Sequence, residues 1–135
     1  MEEAYVSYEV AKLLKEKGFN NPCHAVWNDN RIVLLAHLID NNSLLFTDAY
    51  KFSLQKESLI TIPTHQMACA WLREKNISIF ITDDEPLSYK YTIKKYFISD
   101  KYEVKIVVLK LDSTIFMKYE DAVESAIKYC LENLI

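Results

Sequence analysis

The chain has 135 residues, a mass of 15.8 kDa and a formal net charge of −3. It contains a single glycine, Gly18, whereas average usage of near 7% would give about nine. Glycine-rich phosphate-binding loops, as in Rossmann folds, P-loops and kinases, are therefore excluded, and the net negative charge provides no general attraction to nucleic acid or anionic membranes.

The remaining composition is that of a compact folded protein. Half of the residues are hydrophobic and three are proline, which argues against disorder. No apolar stretch approaches the roughly 18 residues that a membrane-spanning helix needs. Three cysteines are an odd number for a disulfide framework, and the acidic start at Met1–Glu3 lacks the basic and apolar regions of a secretory signal. We therefore expect one domain over residues 1–135 in the cytoplasm.

The first predicted element is a helix from Ser7 to Lys17. Ser7 is a suitable N-cap, and an apolar stripe at helical spacing follows it. Gly18 falls at the C′ position, where a left-handed residue ends a helix, and Phe19 at C″ can pack on Leu14. This arrangement predicts a Schellman stop with a positive φ at Gly18.

The region after the first helix is predicted to contain short strands. Cys23–Trp27 and Arg31–His37 form a hairpin whose turn uses Asn and Asp, because these residues tolerate left-handed geometry. Leu44–Thr47 is a possible third strand, and Asp48–Leu59 is predicted to be a loop because it has no clear period.

The second half of the sequence alternates between helical and strand patterns. Thr64 is predicted to cap a second helix. The segment Asp83–Pro86 is predicted to end the strand Ile77–Thr82 that precedes it. The strands are predicted at Ile77–Thr82, Leu87–Phe97 and Glu103–Leu111, and the last helix at Tyr119–Leu134. The element order α-β-β-(β)-α-β-β-β-α indicates the α+β class, with an antiparallel sheet and three helices.

Metal binding and nucleophilic catalysis are poorly supported by the residue pattern. Cys23, His24, His65 and Cys69 are suitable zinc ligands, but Cys23 and His24 are adjacent and would point to opposite sides of a strand. No family-type motif surrounds Cys23, so a cysteine nucleophile is equally weakly indicated. The acidic run Asp83–Glu85 is typical of a solvated turn rather than a cation site. We therefore assign no catalytic residue, metal ligand or cofactor.

Nucleic-acid binding is an alternative because residues from Thr64 onward have the element order of a double-stranded-RNA-binding domain. Lysines and tyrosines interleave on the strands and could contact phosphates and stack on bases. The candidate binding residues are Tyr89, Lys90, Tyr91, Lys94, Tyr96 and Lys105. The last helix, however, begins with Glu120 and Asp121, whereas that fold uses basic residues at this position.

Protein binding meets fewer objections. Nine tyrosines and two tryptophans are many for a chain of this size, and tyrosine is enriched at interfaces. The same surface could form a homo-oligomer. We therefore expect a protein partner or a second copy rather than nucleic acid, and no membrane.

Three helical segments resemble a family of small uncharacterised proteins from gut-anaerobe genomes, phages and mobile elements. The segments are Ser7–Phe19 with Pro22–His24, Ile62–Met67 with Trp71–Glu74, and Tyr119–Leu134. The resemblance implies a shared α+β domain and a phage or mobile-element setting, and it transfers no functional residues. Lys118 stands where that family would have Ser or Thr as the cap of the last helix. Together with the residue pattern, the resemblance suggests a non-catalytic protein that modulates or inhibits a protein partner.

Overall fold

The structure is a computed structural model that describes residues 4–21, 23, 25–28, 31–34, 60–111 and 114–135. These ranges contain three helices and six strands. The helices are α1 (Tyr8–Glu16), α2 (His65–Glu74) and α3 (Tyr119–Asn133). The strands are β1 (Ala25–Asn28), β2 (Arg31–Leu34), β3 (Ile60–Ile62), β4 (Ile77–Glu85), β5 (Ser88–Ile98) and β6 (Val104–Leu111). The α+β class and the predicted order of elements are confirmed.

The chain divides into two compact units, Met1–Thr64 and His65–Ile135. Each unit contains one three-stranded antiparallel sheet among its described residues, in the orders β2-β1-β3 and β4-β5-β6. The six strands are thus divided between two sheets, whereas the sequence suggested a single sheet. The expectation of a single domain over residues 1–135 stays a prediction.

In the first unit, α1 packs beside β3. Ser7 Oγ accepts a hydrogen bond from the Val10 amide at 3.2 Å, as expected for an N-cap. At the other end of α1, the Phe19 amide donates to the Leu14 carbonyl and the Gly18 amide donates to the Lys15 carbonyl. With a φ of +96° at Gly18, these are the hydrogen bonds of the Schellman stop that the sequence predicts.

The third strand of the first sheet lies at a position that the sequence pattern did not predict. β3 pairs with β1, with Ile62 opposite Ala25, and all three of its residues are buried. Full burial removes the period-two alternation by which a strand is recognised, and three residues are too few to form a pattern. The predicted strand Leu44–Thr47 and the predicted loop Asp48–Leu59 lie outside the described residues.

In the second unit, α2 packs on β4, and α3 packs on β4, β5 and α2. Both helices bury an apolar stripe, which includes Trp71 and Leu72 on α2 and Ile127 and Leu131 on α3. The predicted break at Asp83–Pro86 is displaced. β4 continues to Glu85 through an irregularity between Asp83 and Glu85, and the turn comes at residues 86–87.

Candidate functional site

The two faces of the second sheet differ in what covers them. Opposite residues in antiparallel pairs share a face, and the register places Ile93 opposite Ile79 and Lys110. This face carries the helices, because Ile77, Tyr91 and Ile93 on it are buried.

The other face, which we call the open face, is rich in exposed apolar side chains. The register places Phe80 and Leu111 opposite Thr92, and Ile106 opposite Tyr96. Its large apolar side chains are between 40% and 75% exposed. These side chains are Phe80 on β4, Ile98 on β5, and Val104, Ile106, Val108 and Leu111 on β6. Several exposed apolar side chains on one face, unlike scattered single ones, mark interaction sites.

The charged side chains at the centre of the open face are lysines. Lys90 lies opposite Thr82, and Lys94 lies opposite Ser78 and Val108. The Lys94 ammonium group is 4.7 Å from the centre of the Phe80 ring, so it forms a cation–π contact within the face. Glu85 is the acidic residue at the turn end, opposite Ser88. The open face therefore combines an apolar strip along β6 with a positive strip along β5.

The structure separates the six candidate binding residues into two groups. Lys90, Lys94 and Tyr96 share the open face, and a rise of about 3.3 Å per residue places neighbouring members about 13 Å and 7 Å apart along β5. Lys105 lies on the helix-covered face, opposite the exposed Phe97.

Tyr89 and Tyr91 also lie on the helix-covered face. Tyr91 is 3% exposed, and its ring centre is 6.1 Å from that of Phe116. Tyr89 makes an edge-on contact with Tyr119 at 6.0 Å between ring centres, and its backbone pairs with Phe116. A base or partner ring cannot stack on the buried ring of Tyr91, so its role in this structure is packing.

The apolar residues of β6 are the part of the open face that sequence reasoning missed. Only Lys105 and Lys110 interrupt an otherwise apolar run in β6, and Val107 between Ile106 and Val108 is apolar like its neighbours. Such a run has no clean period of two, so the sequence does not show which side of the strand faces the core. In the structure, Val104, Ile106 and Val108 lie on the face away from the helices.

The thiols do not form a reactive site. Burial raises the pKa of Cys23 to about 12, against a smaller opposing effect of a hydrogen bond with Thr61, and the Cys23 thiol donates to the Asn21 carbonyl. Burial also raises the pKa of Cys130 to about 12, and it raises the pKa of Cys69. Because the thiolate is the nucleophile, these cysteines are protonated and poorly reactive at neutral pH.

The zinc hypothesis gains no support from the ligands that the structure describes. His65 Nε2 lies 2.7 Å from Glu124 Oε2, in a contact between α2 and α3. Across the described ranges, no three His, Cys, Asp or Glu side chains come together as a potential metal site. His24 lies outside those ranges.

Comparison with known proteins adds no relative. Scans of protein-family models, curated proteins and solved structures found no match. Among the described residues, no helix is long and apolar enough to cross a membrane. The fold and the site thus define the chain as a small α+β protein with an apolar, lysine-bearing open sheet face.

Proposed function

We propose that this protein acts by binding a protein partner through the open face of the second sheet. The observation that carries the proposal is the set of six large apolar side chains on this face, each at least 40% exposed. Removing such surface from water stabilises a complex by roughly 25 cal/mol per Å² before the costs of association.

The composition of the open face favours a protein over a nucleic acid. Binding to a phosphate backbone depends on many cations along a groove, whereas this face carries Lys90 and Lys94, and the Lys94 ammonium is already in contact with Phe80. Interfaces between proteins bury apolar side chains in their core, and the open face offers six exposed side chains of this kind.

The biological setting belongs to the same proposal. The three helical segments resemble small proteins of gut-anaerobe genomes, phages and mobile elements. A protein of that setting with an exposed apolar face would serve as a modulator or inhibitor of a cytoplasmic protein, acting by occupying its surface rather than by catalysis.

Affinity capture with matched variants tests this function. Wild-type protein and the variant Ile106→Ser/Val108→Ser serve as baits in lysate with and without nuclease treatment. Both substituted side chains are more than half exposed, so the variant should remain folded while losing apolar contact area. We expect proteins that co-purify with the wild type to be lost from the variant.

The control variant is Met117→Ser, because Met117 is an exposed apolar residue outside the strands. It should retain the partner. Partners that bind the wild type and the open-face variant equally would contradict the proposal. Binding that disappears on nuclease treatment and depends on Lys90 and Lys94 would instead support nucleic-acid binding.

A further inference from the structure

Among the described residues, the outer side of β6 is an edge of the second sheet, which has the order β4-β5-β6. β6 is eight residues long. An edge strand of this length can pair with an extended segment of another chain, which supplies main-chain hydrogen bonds and alternate side-chain contacts.

The hydrogen-bond register shows which peptide groups of β6 face outward. The Ser99 amide donates to the Glu103 carbonyl, and the Tyr96 amide donates to the Asn76 carbonyl on the β4 side of the sheet. Hydrogen-bonded and non-hydrogen-bonded pairs alternate along an antiparallel ladder. The pairs Ile98–Val104 and Tyr96–Ile106 are therefore non-hydrogen-bonded, and the peptide groups of Val104 and Ile106 point away from β5.

The side chains of β6 specify the chemistry of an added strand. Residues that pair across an edge share a face, so partner residues opposite Val104, Ile106 and Val108 would lie on the open face, beside apolar neighbours. Partner residues between them would lie on the other face, which carries Lys105 and Lys110. Lys105 is exposed, and the Lys110 ammonium is 5.1 Å from the centre of the Tyr129 ring.

We propose that β6 binds an extended segment of a partner protein in which apolar and acidic residues alternate, so that the segment becomes a fourth strand of the second sheet. This proposal rests on the proposed function and adds the mode of binding and the chemistry of the partner. Opposite charges across neighbouring strands are stabilising, whereas like charges are destabilising.

Charge repulsion disfavours a second copy of the chain as the partner that pairs with the edge of β6. Pairing of β6 with β6 would bring two copies each of Lys105 and Lys110 to one face of the joined sheet. An acidic segment places carboxylates beside the same lysines.

Binding of short synthetic peptides to the full-length chain tests the proposal. The probe is a capped octapeptide of alternating valine and glutamate, and its control is a capped octapeptide of alternating valine and lysine. Affinities are measured by fluorescence anisotropy, and amide chemical shifts locate the contact. We expect the glutamate peptide to bind about tenfold more tightly than the lysine peptide, with the largest shifts at the amides of Val104 and Ile106.

Two variants of β6 separate strand addition from simple apolar contact. Ile106→Pro removes the outward N–H and leaves the bonds between β5 and β6, since proline is tolerated where the N–H faces away from the sheet. Ile106→Ala removes the side chain but keeps the N–H. We expect Ile106→Pro to weaken binding of the glutamate peptide by about tenfold relative to Ile106→Ala.

A charge reversal at an exposed site provides a test that does not depend on proline. Lys105→Glu should weaken binding of the glutamate peptide and strengthen binding of the lysine peptide, because it reverses the charge beside the added strand. Circular dichroism of each variant confirms that it is folded.

The outcomes distinguish this proposal from the proposed function. Strand addition would be overturned if Ile106→Pro and Ile106→Ala bound the glutamate peptide with equal affinity. It would also be overturned if neither peptide bound, or if both peptides bound equally. None of these results would alter the capture experiment on the open face. Concentration-dependent dimers that are lost in Ile106→Pro would assign the edge to a second copy and likewise overturn the proposal.

Discussion

Left-handed backbone geometry occurs at four described residues, of which one is glycine. They are Gly18, Asn76, Leu87 and Tyr102. The sequence suggested that Asn and Asp would replace glycine at the turns, and Asn76 follows this rule. Leu87 and Tyr102 do not, and a side chain with a Cβ in this conformation costs roughly 1–2 kcal/mol. The shortage of glycine therefore places strain in the turns of the second sheet.

Gly18→Ala should destabilise the protein by roughly 1 kcal/mol or more. No atom lies within 4 Å of a Cβ built at Gly18, so the loss comes from the φ of +96° and not from a clash. Urea unfolding of the two proteins measures the difference. Gly18→Asn should lose less stability than Gly18→Ala, because asparagine adopts left-handed geometry more readily than alanine. Equal stability of the wild type and Gly18→Ala would contradict this account of the helix stop.

Tyr102→Gly should stabilise the protein by about 0.5–1 kcal/mol, because relief of left-handed strain exceeds the entropy cost of glycine. Tyr102 has a φ of +59° and is 89% exposed, so little packing is lost with its ring. The hydrogen bond that the Tyr102 amide donates to the Ser99 carbonyl is retained. Tyr102→Ala keeps the strain and serves as the control in thermal unfolding. A Tyr102→Gly variant no more stable than Tyr102→Ala would show that the turn is unstrained.

At the scale of elements, α2 and α3 are joined by a polar contact within an apolar interface. The side chain of His65 is 11% exposed, and its Nε2 lies 2.7 Å from Glu124 Oε2. A polar group left without its partner in such surroundings costs about 1–3 kcal/mol.

Glu124→Ala should therefore lower the free energy of unfolding by about 1–3 kcal/mol. Glu124→Gln keeps an oxygen that can accept from His65, so its loss should be smaller. Urea denaturation at pH 7 compares the three proteins. Glu120→Ala is the matched control, because Glu120 is an exposed acidic residue in the first turn of the same helix. Equal losses for Glu124→Ala and Glu120→Ala would remove any special role for the contact with His65.

The elements could be predicted where local patterns decide the structure. Helix α1 followed from Ser7, its apolar stripe and Gly18, because capping and stop residues act within one turn. α3 was predicted from its stripe although Lys118 makes no side-chain cap hydrogen bond. β3 was missed because it is short and fully buried and because its partner β1 is distant in sequence, so no local pattern marks it.

The candidate site could be predicted only in part for the same reason. Lys90, Lys94 and Tyr96 were identified from the interleaving of lysines and tyrosines along the predicted strands, and the register then placed them on one face. Tyr91 was included because an aromatic residue looks the same in sequence whether it is buried or exposed. The apolar residues of β6 were omitted because helix placement, not strand pattern, decides which face remains open.

At the scale of the whole molecule, both faces of the second sheet carry apolar residues, but helices cover only one of them among the described residues. The helix-covered face has the packing of a core, with Ile93 fully buried. The open face has comparable apolar content without a covering layer among the described residues. Sheets with one solvated face normally carry polar residues there, so the apolar content of β6 favours a role in binding over a role in folding.

A fragment comprising residues 65–135 should fold without the rest of the chain. This unit contains α2, β4–β6 and α3, and its buried residues include Leu72, Ile77, Ile93 and Ile127. Many domains of about 60 residues fold alone. We expect cooperative urea unfolding with an m-value of about 1 kcal/mol/M, at the low end for small proteins.

The control for this experiment is a fragment of residues 65–118, which lacks α3. α3 covers β4 and β5, so its removal would expose the core side of the sheet and should abolish the cooperative transition. If the longer fragment also shows no transition, folding requires residues 1–64, and the single domain predicted from the sequence is the correct description. If it unfolds cooperatively, the open face belongs to an independently folding unit, because every residue that forms it lies between Ser78 and Leu111.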